Sequence, residues 1–427
     1  MSSLKTLILC GCKIGTKIAV VNTQVQIMNK EVINVKYDFD EVINRMNSAS
    51  DKWDGLPNRF GVSEAIPMWV ADMDFKAPPP VIHALHQRVE HGVYGYTFRP
   101  DSYFEATMDW MKRRHQWSID RKWIAHSPGI LPAISLFIDS FTQPGDSVVI
   151  QTPVYHPFSR IIKSLGRQVV HNPLTFENGR YAMDLEDLEA RIDSTVKILV
   201  LCNPHNPVGR VWSQEELTRL GQICTKNNML VISDEIHCDI VYRGHKHIPF
   251  ASLSDEFADR SITCIAPSKT FNLAGLQTSS IIIPNDRIRD RFNESINSLN
   301  IGAPNPFGIV ATEIAYQYGE EWLEQLIEYL QENLDLLIRY FQENIPQIKV
   351  IKPESTYLVW LDCRELGLAA EELDQFMLRK ARVAMNEGYI FGEDGIGFMR
   401  MNIACPRSTL EKSMRQIEEA VHFLCKA

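Results

Sequence analysis

A single lysine, Lys269, follows an apolar, β-branched run and a proline in residues 261–273 (SITCIAPSKTFNL). This pattern predicts a strand that ends in a turn and presents one amine beyond the sheet. Such an amine is either a solvated surface charge or a nucleophile for a carbonyl group, and the stretch by itself is more typical of the first. The residues at the ends of the neighbouring strands are therefore needed to distinguish the surface charge from the nucleophile.

A predicted helix start offers a place for an anion. The stretch WIAHSPGILPAISLF reads as a short strand, a glycine turn and a helix that begins at Gly129 and Ile130. The free N–H groups and the positive dipole end of a helix start suit a phosphate. Ser127 precedes this turn and either belongs to such a site or only caps the helix. The motif alone leaves both interpretations open.

Tyr155, Asn206 and Asp234 each follow another predicted strand. Tyr155 stands between two prolines, and its ring either stacks on a ligand or packs in the core. Asn206 is either an amide donor to a ligand or a turn former. Asp234 ends a strand too apolar for an unpaired carboxylate, so it needs a cationic ring nitrogen, a salt bridge or a helix to cap. In open parallel sheets, ligands bind outside the carboxyl ends of the strands, where these groups are expected to meet Lys269.

Taken together, these groups match the needs of one cofactor. Pyridoxal 5′-phosphate (PLP) requires a lysine for its covalent bond, a partner for its pyridine nitrogen and an anchor for its phosphate. An aromatic face and an amide donor complete the set. The sequence therefore predicts a PLP site at the strand ends.

The elements that would position these groups alternate between strand and helix. Near-continuous runs of Val, Ile and Leu in six predicted strands, such as KILVLC and MLVIS, are typical of a parallel sheet buried on both faces. The alternation indicates an α/β layer fold with right-handed crossovers. Beyond Gly319 the pattern changes to helices followed by mixed strands and helices, which predicts a second domain. We expect an N-terminal extension outside the fold at 1–34, a first segment of the small domain at 35–76, a large domain at 77–318 and a C-terminal small α+β domain at 319–427.

Composition excludes several classes of function. The chain has 427 residues and a formal net charge of −9 without a long basic run, which argues against nucleic-acid and membrane-surface binding. The stretches of the sequence that are apolar are shorter than the roughly 18 residues a membrane span needs. Nine scattered cysteines without a CxxC pair indicate buried thiols in a reducing, cytoplasmic setting. We predict no metal site, and we interpret His245 and His247 in GHKH as an exposed turn.

Several stretches resemble the fold-type I PLP enzymes, and among them the MalY/PatB-like cystathionine β-lyases (C–S lyases). They are MWVADMDF, YGYT, TPVYHPF, NPHNPVGRVW, SDEIHCD, APSKTFNLAGL, EGYIFG and GFMRMNIA. The resemblance runs from about Val35 to the C-terminus. It implies the PLP-dependent transferase fold of the aspartate aminotransferase type, with a mostly parallel seven-stranded sheet in a large domain plus a smaller α+β domain. It also implies a homodimer with shared active sites.

The resemblance implies a role for each candidate residue around the cofactor. Lys269 would bond covalently to PLP, Asp234 would pair with the pyridine nitrogen, and Asn206 would donate to the phenolic oxygen. Tyr155 would stack on the ring. The main-chain amides of Gly129 and Ile130, with the Ser268 hydroxyl, would hold the phosphate. Ser127 is also expected among the residues that bind the cofactor.

The resemblance also implies a residue that binds the substrate and a residue that acts in the second subunit. Arg400 in GFMRMNIA is similar to the arginine that binds the substrate α-carboxylate, a task that suits its bidentate fork, although a surface cation is the alternative. Tyr96 in YGYT resembles the tyrosine that reaches into the active site of the neighbouring subunit.

Two positions depart from the broader aminotransferase pattern. His237 stands where aminotransferases of this fold often have a tyrosine near the cofactor, and Gln277 stands where they often have a phosphate-binding arginine. Both features are similar to the C–S lyases. We therefore expect a PLP-dependent β-lyase that cleaves L-cystathionine and related cysteine S-conjugates to a thiol (homocysteine), pyruvate and ammonia. The alternatives are an aminotransferase of amino acids and a moonlighting regulatory protein on the same fold.

Overall fold

The structure, a computed structural model, describes residues 36–424, so the extension expected at 1–34 lies outside the described residues. The chain ahead of the central sheet forms short elements and two longer helices. These are α1 (Asp51–Asp54), α2 (Leu56–Phe60), β1 (Ile66–Pro67), α3 (Pro79–Glu90) and α4 (Asp101–His115). Helix α3 begins at the proline run of the sequence, because proline at the first helical positions has no N–H to leave unbonded.

Strands and helices then alternate along the chain, as the sequence predicts. They are β2 (Ile124–Ser127), α5 (Ile130–Phe141), β3 (Ser147–Ile150), α6 (Pro157–Ser164), β4 (Gln168–His171), β5 (Thr175–Glu177), β6 (Arg180–Ala182), α7 (Leu185–Arg191), β7 (Val196–Cys202), α8 (Gln214–Lys226), β8 (Leu230–Asp234), α9 (Asp255–Asp259), β9 (Ser261–Ile265), α10 (Pro267–Thr270), β10 (Ser279–Ile282), α11 (Asp286–Ser298) and α12 (Pro306–Tyr318).

Seven of these strands form the central sheet in the order β2-β10-β9-β8-β7-β3-β4. Strand β10 runs antiparallel to both of its neighbours, and the remaining pairs are parallel. The carboxyl ends of β2, β3, β7, β8 and β9 therefore lie along one edge of the sheet. The mostly parallel seven-stranded sheet expected from the resemblance is confirmed.

Helices cover both faces of this sheet. On one face, apolar side chains of α5, α6 and α11, among them Phe137, Phe158 and Phe292, pack on the sheet in one core. On the other face, Leu188 of α7 and Leu217 and Leu220 of α8 pack in a second core. Because both faces are covered, the edge at the carboxyl ends of the strands is the place where side chains can remain available to a ligand.

The chain after α12 has mixed α+β structure. It contains α13 (Glu320–Asn344), β11 (Lys349–Ile351), β12 (Leu358–Asp362), α14 (Ala370–Gln375), a π-helical turn (Phe376–Lys380), β13 (Val383–Ala384), β14 (Asn386–Glu387), β15 (Phe398–Asn402) and α15 (Arg407–Leu424). Strands β11, β12, β15 and β14 form an antiparallel sheet in that order. Strand β1 pairs with β13 in parallel, which joins the residues before the central sheet to this C-terminal part.

The expected boundaries at residues 76 and 318 stay predictions. Of the helices within residues 36–424, none combines the length and the apolar character that crossing a membrane requires.

Candidate active site

A cavity of about 330 Å³ opens at the carboxyl ends of the central strands. It is lined by most of the residues that the sequence singles out, namely Gly129, Ile130, Tyr155, Asn206, Asp234, His237, Ser268 and Lys269. Its wall also includes Gln277, which the sequence marks as a departure from the aminotransferase pattern, and Ala71, Cys202 and Thr278, which it does not mark. The convergence of the strand ends on one ligand-sized space follows from the parallel topology.

The phosphate-type part of this cavity is the start of α5. Helix α5 begins at Ile130, and its N-cap Gly129 has no side chain that could bond the first free N–H groups. Ser127 does not cap the helix. It ends β2, it is buried without lining the cavity, and its carbonyl accepts a hydrogen bond of 2.8 Å from the Ser279 hydroxyl. The uncapped amides therefore face a ligand space, with the Ser268 hydroxyl on the same wall.

Asp234 is buried in this cavity, and no residue of the described chain forms an ion pair with it. Its carboxylate accepts one hydrogen bond, of 3.2 Å from the backbone N–H of Ile236, and it forms no ion pair within residues 36–424. Burial raises the pKa of Asp234 to about 7, although the Ile236 N–H and the charge of Lys269 oppose the rise. The salt bridge and the helix cap considered for Asp234 are therefore both wrong.

Lys269 lies in the short helix α10, and its side chain reaches across the cavity. Its Nζ donates a hydrogen bond of 2.7 Å to the backbone carbonyl of Ala71. Burial lowers the pKa of Lys269 to about 8, while the charge of Asp72 acts in the opposite direction. The side chain lines the cavity and is only partly exposed, so the surface interpretation of Lys269 is wrong, and an amine with a lowered pKa can act as a nucleophile or as a base.

Arg400, on β15, is buried next to the cavity. Its Nη1 donates to Oδ1 of Asn206 at 3.0 Å, and its Nη2 donates to the Trp69 carbonyl at 2.9 Å and to Oδ1 of Asn386 at 2.5 Å. The guanidinium also lies 4.9 Å from the ring of Phe391. Burial lowers the pKa of Arg400 to about 10. Its alternative as a surface cation is wrong.

Tyr155 and His237 occupy two further parts of the wall. Tyr155 lines the cavity, and its ring edge packs on His156 and Phe158 at centroid distances of 5.5 and 5.7 Å. His237 is buried, and burial lowers its pKa to about 3, so its imidazole is neutral at physiological pH. Its Nδ1 has no hydrogen-bond partner within the described chain.

Two expectations fall outside this site. Tyr96 is fully exposed and does not line the cavity of its own chain, so its action in a second subunit stays a prediction. The exposed turn expected for GHKH is wrong at His247, which is buried with its Nε2 2.8 Å from Oε2 of Glu235. Glu235 is itself buried on the segment that carries Asp234, and a carboxylate in that place needs partners.

Sequence patterns miss the contributions of Ala71 and Tyr357. Ala71 takes part through its carbonyl oxygen, which any residue type would supply. The hydroxyl of Tyr357 donates to the same carbonyl at 3.0 Å. Tyr357 stands in an apolar run, TYLVWL, that is typical of a core strand.

The model of the family described as aminotransferase class I and II matches residues 66–417. The chain belongs to this family. It is 46% identical over 385 residues to the cystathionine beta-lyase PatB of Bacillus subtilis (strain 168), a match that covers 90% of this chain and 100% of the relative. The family assignment agrees with the resemblance seen in the motifs.

Two solved structures are similar over nearly their whole length. Cystalysin from Treponema denticola, which contains a pyridoxal 5′-phosphate cofactor, matches with a TM-score of 0.89 and 40% identity, covering 91% of this chain and 100% of that one. The PLP-bound C-S lyase from Staphylococcus hominis matches with a TM-score of 0.85 and 35% identity, covering 91% and 98%. The expected fold and the resemblance to C–S lyases are thereby confirmed.

Proposed function

We propose that the protein is a PLP-dependent C–S β-lyase that cleaves L-cystathionine and related cysteine S-conjugates to a thiol, pyruvate and ammonia. The observation that carries the proposal is one cavity that holds the buried Asp234 carboxylate and the partly buried Lys269 side chain, neither of which forms an ion pair within residues 36–424. The names of the relatives and solved structures support the lyase assignment.

The residues present fit PLP. The Asp234 carboxylate is buried without an ion pair to any of residues 36–424, burial raises its pKa, and a protonated pyridine nitrogen would supply a cation. The uncapped start of α5 offers N–H groups to a phosphate. Tyr155 offers a ring for stacking, and Asn206 lines the cavity and accepts a hydrogen bond from Arg400 through its Oδ1. Each of the cofactor's three needs thus meets a residue of matching chemistry in one space.

When bound, PLP supplies an electron sink that makes the Cα–H bond of an amino acid acidic. The protein must then orient the substrate and move protons. Arg400 would bind the α-carboxylate, since its Nε has no partner within the described chain and its two Nη atoms are fixed by Asn206, Trp69 and Asn386.

Lys269 would take the Cα proton with its neutral amine. A pKa of about 8, below that of an ordinary lysine, leaves about a tenth of the amine neutral at pH 7 and more of it at higher pH, which suits a base. Positioned proton transfer of this kind contributes roughly 10²–10⁴-fold to a rate. A substrate with a thiolate leaving group on Cβ can then lose it, which is β-elimination.

The choice between elimination and amino transfer is decided by products. We expect purified protein incubated with L-cystathionine to release pyruvate and free thiol in equal amounts, without an added keto acid. His237 and Gln277 in the cavity wall support this outcome, because the aminotransferase pattern has other residues there. If no pyruvate forms, and a keto acid appears only when an amino acceptor is added, the protein is an aminotransferase instead.

We infer that the enzyme is a homodimer whose sites are completed across the interface by Tyr96. The loop that carries Tyr96 exposes apolar side chains to an unusual extent, namely Val93, Tyr94, Tyr96 and Phe98, as expected of a surface that a partner covers. Mixing a Tyr96→Ala variant with a Lys269→Ala variant tests this. A hybrid dimer has one site with neither lesion, so activity returns on mixing if Tyr96 acts in the partner's site, and stays absent if it acts in its own.

We also propose a cytoplasmic location. The support is chemical: the cysteines within the described residues are buried free thiols, which is the state that a reducing compartment maintains.

A further inference from the structure

One segment, defined here as the strap (residues 68–75), borders the cavity at Ala71. Its backbone carbonyls accept hydrogen bonds from side chains on several sides. The donors are Arg400 to Trp69, Asn402 to Val70 and Asp72, Lys269 and Tyr357 to Ala71, and Asn272 to Met73 and Phe75. The strap thus connects the lysine and the arginine of the site through carbonyls two residues apart.

The carbonyl of Ala71 accepts from two donors, the partly buried Lys269 and the buried Tyr357. Nζ of Lys269 lies at 2.7 Å and Oη of Tyr357 at 3.0 Å. Burial raises the pKa of Tyr357 far above its usual range, so the hydroxyl keeps its proton and acts as a donor. A carbonyl oxygen has two lone pairs, and these two donors occupy both.

We propose that the Ala71 carbonyl accepts a hydrogen bond from the Lys269 amine whenever that amine is free, and that Tyr357 is a positioning residue which weakens this hydrogen bond. The inference rests on the catalytic role proposed for Lys269, and it adds a residue and a backbone group that set the state of the amine.

The physical argument concerns the competition between two donors. An ammonium group gains more from a carbonyl acceptor than a neutral amine does, so an unshared Ala71 carbonyl would favour the charged lysine. The Tyr357 hydroxyl donates a hydrogen bond to the same oxygen and so reduces the preference of that carbonyl for the charged lysine. The amine is then more easily neutral, and because one N–H points at Ala71, its lone pair points elsewhere in the cavity.

The Tyr357→Phe variant tests this inference, because it removes the hydroxyl and keeps the ring. Tyr242→Phe is the matched control, since Tyr242 is also buried and its hydroxyl has no partner within the described chain. Protein freed of cofactor is treated with acetic anhydride between pH 6 and pH 10, and labelling of Lys269 is measured by mass spectrometry. Unfolding midpoints of both variants, measured alongside, establish that they are folded.

We expect labelling of wild-type Lys269 to follow a midpoint near its pKa of about 8. In Tyr357→Phe the midpoint should lie higher by roughly 0.5 to 1 pH unit, because a change of this size corresponds to the free energy of one ordinary hydrogen bond. Tyr242→Phe should match the wild type. The pH dependence of pyruvate formation by the holoenzyme should move in the same alkaline direction.

A midpoint in Tyr357→Phe that equals or falls below that of the wild type would overturn the inference. Since labelling requires no turnover, its outcome is independent of the proposed lyase activity. Loss of pyruvate formation in the wild type would remove the proposed function and leave the labelling result in place.

Discussion

Asp234 and Asp239 lie five residues apart on one segment, SDEIHCD, and they are about equally buried, at 4% and 3% exposure. Their surroundings differ. Asp239 accepts hydrogen bonds from Trp110 at 3.1 Å, His115 at 2.8 Å and Thr270 at 2.7 Å. Asp234 accepts one, from a backbone N–H. Burial would raise the pKa of both, yet the bonds from His115 and Thr270 hold the pKa of Asp239 below its usual range, whereas that of Asp234 rises to about 7.

Asp239 belongs to a polar cluster behind the cavity, defined here as His115, Glu235, Asp239, His247 and Thr270. In this cluster Glu235 is also satisfied, by Ser233, His247 and the N–H of Phe250. Thr270 directly follows Lys269 in the short helix α10, so its hydrogen bond to Asp239 connects this helix to the cluster. The difference teaches that a buried charge with a structural role has its partners within the chain, whereas the cavity leaves its carboxylate and amine for a ligand.

Replacing the cavity's amine should have the largest effect on activity. Lys269→Ala removes both the covalent anchor for PLP and the proposed base, so we expect pyruvate formation to fall by at least roughly 10²–10⁴-fold. The absorbance band of lysine-bound PLP should disappear as well. Lys226→Ala changes an exposed lysine and should leave both unchanged. An unaltered spectrum in Lys269→Ala would show that the cavity does not use this amine.

Arg400→Lys retains the charge and removes the fork at the edge of the cavity. We expect KM for the amino-acid substrate to rise about 10–100-fold, because lysine has neither the free Nε–H nor the Nη contacts that fix the guanidinium, while the PLP absorbance band remains. The exposed Arg379→Lys is the control. Equal KM values in the two variants would mean that Arg400 serves only the packing around Asn206 and Trp69.

Asp239→Asn should damage the polar cluster and not the chemistry. An amide cannot accept from all three donors that Asp239 satisfies, so we expect a loss of unfolding free energy of about 1–3 kcal/mol. Denaturant unfolding measures this, and Asp109→Asn, on the exposed side of α4, should stay within about 0.5 kcal/mol of the wild type. An unchanged stability in Asp239→Asn would remove the contrast with Asp234.

The fold was largely predictable because buried strands have a recognisable apolar sequence pattern. Strands β3, β7, β8 and β9 carry the apolar runs that burial on both faces requires. Strand β4 (Gln168–His171) was the exception in the chain itself, since it lies at the sheet edge and both of its end residues are exposed. Its presence followed from the resemblance alone.

The site was predictable where a residue type is tied to its chemistry. Lys269, Asp234 and Asn206 are found from their positions at strand ends. The Ala71 carbonyl and the pairing of His247 with Glu235 were not, because the first has no side-chain signal and the second joins residues through tertiary packing. For the same reason the sequence could not tell that Asp239 is satisfied and Asp234 is not.

The central claim is that Asp234 has no ion-pair partner within the described chain, so that it can pair with a cation of the ligand. The effect of this carboxylate on the free energy of unfolding tests the claim most directly. A carboxyl whose folded pKa is about 7 and whose unfolded pKa is about 3.9 costs stability as pH rises through this interval, and the full cost is present above it. Asp234→Asn removes the charge. The measurement is the unfolding free energy of cofactor-free wild type, Asp234→Asn and Asp239→Asn at pH 5 and pH 8, with and without PLP.

We predict that cofactor-free Asp234→Asn is more stable than the wild type at pH 8, by on the order of 1–3 kcal/mol, and that the gain is smaller at pH 5. Added PLP should stabilise the wild type more than Asp234→Asn. If Asp234→Asn instead loses stability at pH 8 as Asp239→Asn does, and PLP stabilises it as much as the wild type, then Asp234 is a structural carboxylate and the account is contradicted.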